Sequence, residues 1–389
     1  MVASATGHAN GGDRRRHVLV IGGDLAYLFR FRSELLVSIA SLGYRVTAAT
    51  PDEVTSRPPA LIDVGVHCVR ISMSRTGTNP LRDAPDVVAL TRWIRRLAPD
   101  VVFAYGAKPI AYGLLAAKLA GIRERYAMLP GLGYAFIDDE RPSLARRATR
   151  IILSNLYRLA LAGCQRVIFQ NHDDRDEFLA RRLVDGARSL VVNGSGVDLD
   201  TFVASPVPTD PPRFLFIGRL LRSKGVHELV RAARIVRREI PRAEFHLVGA
   251  HDTNPDRADP LLLQAHADSC DIVLHGQVED VRPLLAACTA FVLPSYREGV
   301  PRSGLEALAA GRTTIVADAP GCRTIVREGR HGALVRPRDA EDLARVLIEY
   351  ASDPRRAASE GREARITAES DYDVRNVNEA MLDALRLRT

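Results

Sequence analysis

The sequence has no apolar run approaching the ~18 residues that cross a bilayer, and residues 1–16 contain no apolar core of the kind a secretory signal needs. Neither a spanning nor an exported chain is expected, and the cytoplasm is the expected compartment. The five cysteines, Cys68, Cys164, Cys270, Cys288 and Cys322, lie far apart with no CxxC pair. That argues against a zinc or disulfide framework and predicts reduced, mostly buried thiols. GxGxxG is missing, which removes the best support for a dinucleotide-binding dehydrogenase; the acidic ribose-binding residue of such an enzyme could only be Asp52 or Glu53, beyond Pro51. GxxxxGK[ST] is missing too, so there is no Walker loop. Residues 141–172 lack any acidic side chain.

What is present fits a soluble α/β protein. A chain of 389 residues is too long for one ordinary core and suits about two domains. Net charge of +7 and a pI near 9.4 point to an anionic partner, with nucleic acid, anionic lipid and diphosphate ligands all open on charge alone. After a Gly/Ala/Asn-rich leader over 1–16, apolar strands alternate with helices: strands over 17–21, 44–50, 67–72, 101–105, 166–169 and 189–192, helices over 31–42, 87–97 and 110–120 and one beginning near Asp173. Pro206, Pro208, Pro211 and Pro212 mark a linker, and a second series follows with strands over 213–217, 244–248, 272–274, 290–294 and 313–317. From Asp339 the tail reads as helical. Alternation of this kind predicts two doubly wound parallel sheets in Rossmann-like domains, 17–204 and 205–372.

The stretch over 295–311, SYREGVPRSGLEALAAG, organises the rest. It joins a strand to a helix, where an open α/β sheet takes ligands and where backbone N–H groups favour an anion. Glu298 and Glu306, with seven residues between them, place one carboxylate at the loop mouth and one in the helix, suited to two hydroxyl-bearing parts of one extended ligand such as a nucleotide sugar. Arg219 and Lys224, after the strand over 213–217, make a diphosphate site beside a helix N-terminus. In the first series, Gly22 and Gly23 let backbone approach a ligand. Lys108, ahead of Pro109, would point a charge into a cleft, and Gly131, Gly133 and Tyr134 would form a wall for a sugar. Of the arginines in the acid-free stretch, Arg147, Arg150 and Arg158 share a helical face with Ser154, while Leu144, Ala148, Ile151, Ile152, Leu156 and Leu159 lie on the opposite one. This reads as a surface helix with a solvated basic face or as a contact with anionic lipid, and both can hold. Two Asp-x-Asp triplets, Asp174-x-Asp176 and Asp198-x-Asp200, read as a helix start and a turn, so no metal is assigned.

The Glu-x7-Glu stretch and its filling resemble the signature of retaining glycosyltransferases of family 4. The segments YLFRFRSELLVSIASLGYRV, AKPIAYGLLAAKLAGI, VIFQNHDD, GSGVDLDTF, LPSYREGVPR and APGCR are similar to bacterial members that glycosylate undecaprenyl-diphosphate-linked sugars. The resemblance implies the GT-B fold, two Rossmann-like domains facing each other across a cleft, with 373–389 crossing back onto the first. It implies a UDP-sugar donor, a polyprenyl-linked saccharide acceptor, and no cofactor, metal or nucleic acid. Glu298, Arg219 and Lys224 take the catalytic roles. Glu306 would hold the ribose, Gln277 and Val278 would lie against the base, and Gly23, Gly299, Val300, Pro301 and Leu305 would complete the donor site. Asp24, Lys108, Gly133 and Tyr134 fall on the acceptor side, and Arg146, Arg147, Arg150 and Arg158 would meet the inner face of the cytoplasmic membrane. Small Ser303 and Gly304, where relatives have larger aliphatics, would widen the space beside Glu306; Gly106-Ala107 replaces the usual Thr-Ile. A UDP-sugar 2-epimerase of the same fold and a non-catalytic nucleotide-sugar-binding protein are the alternatives.

Overall fold

The computed structural model describes residues 15–73, 80–132, 136, 144–250, 256–269 and 271–388. The first series runs β1 His17–Ile21, α1 Leu25–Ser41, β2 Arg45–Thr50, α2 Pro59–Asp63, β3 His67–Arg70, α3 Pro80–Leu97, β4 Val101–Tyr105, α4 Leu114–Leu119, β5 Glu124–Leu129, α5 Leu144–Leu161, β6 Arg166–Phe169, α6 His172–Ala180 and β7 Ser189–Val191. The second runs β8 Arg213–Ile217, α7 Val226–Glu239, β9 Glu244–Val248, α8 Pro260–Asp268, β10 Val273–Gly276, α9 Arg282–Ala287, β11 Ala290–Leu293, α10 Arg302–Ala309, β12 Thr313–Ala317 and β13 Gly332–Val335, and closes with α11 Ala340–Ser352, α12 Pro354–Asp371 and α13 Val374–Ala384. Strand order is β3-β2-β1-β4-β5-β6-β7 in one sheet and β10-β9-β8-β11-β12-β13 in the other. Order reverses where β1 meets β4 and where β8 meets β11, both parallel pairs. Such switch points open a crevice beyond the carboxyl ends of the strands.

Two compact units form, one from residues 1–127, 159–166 and 385–389, the other from 128–158 and 167–384. The continuous apolar runs of β1 and β4 are buried along their whole length in the first, as are β11 and β12 in the second, which is what a sheet covered on both faces requires. In the first unit the Tyr44 hydroxyl donates to the Leu387 carbonyl at 3.1 Å. The tail divides, α13 belonging to the second unit and residues 385–389 to the first.

Several boundaries differ from expectation for local reasons. Helix α1 starts at Leu25 instead of Phe31 because Asp24 caps it, accepting from the Tyr27 N–H at 2.6 Å, while Asp52 accepts from the Leu25 N–H at 2.7 Å. The segment expected as one helix over 110–120 opens with a π turn, Pro109–Gly113, ahead of α4. Strand β13 was not expected; a Cβ at Gly332 would sit 2.1 Å from the Thr314 carbonyl oxygen, so only glycine allows this pairing.

Helix α5 departs most. Leu153, Tyr157, Ala160 and Leu161 face inward, Ile152 and Leu156 are half-buried, and Leu144, Ala148, Ile151 and Leu159 are exposed. The apolar residues expected opposite the arginines therefore split, because the inward face is defined by Leu153 and Tyr157. Cys68 is half-buried and Cys164, Cys288 and Cys322 are buried, all as free thiols. Among the described residues no helix is long and apolar enough to cross a membrane. The leader up to residue 14, Cys270, Gly133, Tyr134 and the side chain of Arg146 lie outside the described residues.

Candidate active site

The glutamate loop leaves β11 at Leu293 and ends at Pro301, whose carbonyl accepts the first helical bonds of α10 from Gly304 and Leu305. Glu298 is largely enclosed, and its carboxylate pairs with the Lys224 ammonium. Lys224 arrives there on a tight turn. Gly225, at φ +70°, follows it in the left-handed region, and a Cβ at that position would meet the Pro294 carbonyl oxygen at 2.1 Å. A bond from the Tyr296 N–H to the Ser223 carbonyl at 2.8 Å fastens this turn to the glutamate loop, and the Tyr296 hydroxyl reaches Glu228 at 2.9 Å. Arg219 stands exposed on the loop after β8.

The backbone beyond Glu298 is hemmed in. A Cβ on Gly299 would lie 1.6 Å from the Pro130 carbonyl oxygen, and one on Gly321 would lie 2.1 Å from that of Glu298. The Glu298 N–H donates to the Pro320 carbonyl at 2.9 Å. Among the described residues, the N–H groups of Gly299 and Val300 find no acceptor, which suits them to an anionic or hydroxyl oxygen. Val300 is nearly buried. Leu305 is fully buried in the same core cluster as Val300.

Arg297 went unnoticed in the sequence, yet it anchors the loop. Its guanidinium, almost fully enclosed, reaches Asp174 at 2.6 Å, Glu177 at 2.7 Å and the Phe136 carbonyl at 2.9 Å. Burial works against its charge, but the Asp174 and Glu177 carboxylates outweigh that and hold it above its ordinary value. The buried side chain of Asn171 caps α6 by accepting from the Asp174 N–H at 2.7 Å, and its amide donates to the Gly299 carbonyl at 2.7 Å. Asp173 pairs with Arg323 at 3.1 Å. The first turn of α6 thus grips the segments on both sides of Glu298, and the Asp174-x-Asp176 triplet is a helix start committed to arginine. In the other triplet, Asp198 caps a turn through Asp200 and Thr201, and Asp200 pairs with Arg375 at 2.6 Å.

Glu306 is 3% exposed and pairs with Arg302 at 3.2 Å, whose guanidinium also donates to the Gly196 carbonyl. Arg302 was also missed, although its spacing of four residues from Glu306 signals a helical pair. Gly194 and Gly196, both at φ +69°, form the turn it reaches; a Cβ on Gly194 would meet Val300 at 2.9 Å. Gly304 does not widen the space beside Glu306. Ile325 fills it, lying 2.2 Å from where a Cβ would be. Gln277 is exposed after β10, and Val278 packs against the core of the second sheet.

In the first unit, Gly22 accommodates Tyr105, whose hydroxyl would lie 2.3 Å from a Cβ there, so a side chain of the protein makes the close approach expected of a ligand. Gly23 is open, with nothing nearer than Pro109 at 4.0 Å. Asp24 is the cap of α1. Lys108, expected to project, is buried; its ammonium lies 3.3 Å from Asp83 and 5.7 Å from the centre of the Tyr112 ring.

Residues 30–194 match the family model described as a glycosyl transferase 4-like domain, and residues 211–353 match that of the glycosyl transferases group 1. The chain is a family 4 glycosyltransferase. This glycosyltransferase is 29% identical, over 82% of its length and 85% of the relative's, to N,N'-diacetylbacillosaminyl-diphospho-undecaprenol alpha-1,3-N-acetylgalactosaminyltransferase from Campylobacter jejuni. Its fold matches sucrose-phosphate synthase from Thermosynechococcus elongatus with a TM-score of 0.77, at 19% identity over 96% of this chain and 98% of the other. It also matches HepE from Anabaena, solved in complex with UDP, with a TM-score of 0.72 at 19% identity over 95% and 99%. The glycosyltransferase has the GT-B class of fold, built on two Rossmann-like sheets.

Proposed function

We propose that this glycosyltransferase moves an N-acetylhexosamine or hexose from a UDP-sugar to a polyprenyl-diphosphate-linked saccharide, with retention at the anomeric carbon, in surface polysaccharide or glycan assembly. The observation that carries the reading is the Lys224–Glu298 pair beside the N–H groups of Gly299 and Val300. A cation for a diphosphate and a carboxylate for sugar hydroxyls meet in one contact. On donor binding, Lys224 turns to the diphosphate, joined by Arg219, and Glu298 takes the sugar hydroxyls; Glu306 serves the ribose. The bond from the anomeric carbon to the diphosphate oxygen breaks as the acceptor oxygen bonds to the same face, and the acceptor's proton leaves with the UDP. Positive charge and amide dipoles stabilise the leaving group without a metal. The UDP-bound structure of HepE and the undecaprenol-linked substrate in the name of the Campylobacter relative support the donor and acceptor classes. A polyprenyl acceptor confines the work to a bilayer, so the enzyme docks peripherally on the cytoplasmic face, with Arg146, Arg147, Arg150 and Arg158 against anionic lipid.

The test incubates the protein with a panel of UDP-sugars and an undecaprenyl-diphosphate-linked monosaccharide, with and without EDTA. Transfer with the donor's anomeric configuration, undiminished by EDTA, is expected. Glu298→Gln is expected to lower kcat about a hundredfold or more, since charge-assisted bonds of about 1.5–3 kcal/mol each are lost, while UDP affinity stays within about threefold. Epimer formation from a UDP-sugar without acceptor would make the protein a 2-epimerase instead. Activity abolished by EDTA and restored by manganese would overturn the metal-free reading.

A further inference from the structure

Helix α5 displays the kind of surface that a helix packed only on its own protein would cover. Leu144, Ile151 and Leu159 are 82%, 62% and 55% exposed. Spacings of seven and eight residues bring them onto one side of the helix, in a row roughly 22 Å long that also includes exposed Ala148. Exposed Arg147 and Arg158 flank this row, and no acidic residue occurs anywhere in 141–172 to offset them.

We propose that α5 lies in the headgroup layer of an anionic bilayer, with Leu144, Ile151 and Leu159 inserted among the acyl chains and Arg147 and Arg158 against lipid phosphates. An apolar row edged by basic side chains is the arrangement of helices that lie in the membrane plane. A second copy of the chain fits the same row poorly, because it would bring Arg147 and Arg158 against their own counterparts. The inference rests on the proposed contact with an anionic surface and changes its nature. Arginines alone give a contact that salt dissolves, whereas inserted aliphatic chains give one that salt leaves in part, since ions screen charge and not apolar burial.

The experiment uses the full chain and vesicles of phosphatidylglycerol and phosphatidylcholine, sedimented at about 0.05 M and about 0.5 M salt. Wild type is expected to bind at both, more weakly at high salt. The triple variant Leu144→Ser, Ile151→Ser, Leu159→Ser is expected to bind at least about tenfold more weakly and to be released at high salt; its melting temperature and UDP affinity should match wild type, because all three side chains face solvent. The single tryptophan, Trp93, allows a second readout. In a Trp93→Phe background, Ile151→Trp fluorescence is expected to shift to the blue with vesicles and to be quenched by brominated acyl chains. A serine variant that binds like wild type, beside an Arg147→Gln, Arg158→Gln variant that does not, would overturn insertion and leave a purely electrostatic contact. If neither variant weakens, the α5 contact itself fails. A self-associated wild type made monomeric by the serines would assign the row to a protein interface.

Discussion

The loop that leaves β11 and the loop that leaves β1 each open at the switch point of their sheet and differ in how tightly they are packed. Gly299 has a carbonyl oxygen 1.6 Å from the site of its absent Cβ, and its own carbonyl is held by Asn171. Gly23 has no heavy atom within 3.9 Å of that site, the nearest being Pro109 at 4.0 Å. Beside the first loop a guanidinium binds two carboxylates and a carbonyl; beside the second, an ammonium stands 3.3 Å from one carboxylate. A loop that must deliver a carboxylate to a fixed point is positioned by its own protein, because each lost degree of freedom there is one the reaction need not remove. In the second loop the close contact falls at Gly22, against the Tyr105 side chain, and Gly23 beside it stays open.

The glycines offer the sharpest way to break this contrast. Gly299→Ala drives a methyl into the Pro130 backbone and is expected to lower unfolding free energy by more than about 4 kcal/mol, whereas Gly23→Ala should change it by less than about 0.5 kcal/mol. Paired urea melts measure both, and equal costs would end the distinction. The ion pairs come next. Arg297→Met leaves the buried Asp174 carboxylate without its cation and should cost about 3–5 kcal/mol, against about 1–3 kcal/mol for Lys108→Met, whose ammonium stands farther from its carboxylate. Arg297→Lys should recover only part, since an ammonium cannot span Asp174, Glu177 and the Phe136 carbonyl together.

Acid sharpens the comparison from the side of β1. His17 is buried; Arg45 donates to its Nδ1 at 2.6 Å, so Nε2 carries the proton toward Thr47 at 2.9 Å and the ring is neutral. Burial, then the Arg45 charge, pull its pKa from 6.5 down to about 4. The unfolded chain takes up a proton near pH 6.5 that the folded chain refuses until about pH 4, so stability should fall by about 3 kcal/mol as pH drops through that window. Urea midpoints at stepped pH check this, and His17→Asn should flatten the slope. A more modest effect is expected at Lys224→Ala, about a tenfold loss of UDP affinity by calorimetry, or about 1.4 kcal/mol. Unchanged affinity would detach the lysine from the diphosphate.

Much of this architecture was legible because it rests on local pattern. Val101–Tyr105, Arg213–Ile217 and Thr313–Ala317 are short apolar runs that announce themselves as buried strands, and the two glutamates stand in a stretch whose filling identifies it. Partners distant in sequence were not legible. Arg297 sits in a polar loop and looks solvated; its carboxylate at Asp174 is 123 residues away, and nothing local tells a buried arginine from an exposed one. Asp24 and Asp52 look like ligand-facing acids because a cap and a binding residue use the same side chains at the same strand ends. The inward face of α5 was misjudged for a similar reason, since its outward row is as apolar as its core side.

The grip of α6 on Arg297 bears on how such enzymes can exchange parts. A recombination junction at the proline-rich linker, near residue 206, would look natural, since it separates one strand series from the next. It would also deliver the glutamate loop to a host whose α6 had not evolved with it. The incoming arginine would meet whatever that helix presents at 174 and 177 in place of Asp174 and Glu177, and Gly299 would lose Asn171 unless the host carried the same residue. A junction near residue 165, ahead of β6, keeps all three partners in one inherited piece. The Glu298 loop thus depends on a helix from the other strand series, and chimaeras cut at the linker should fold less well than those cut upstream of it.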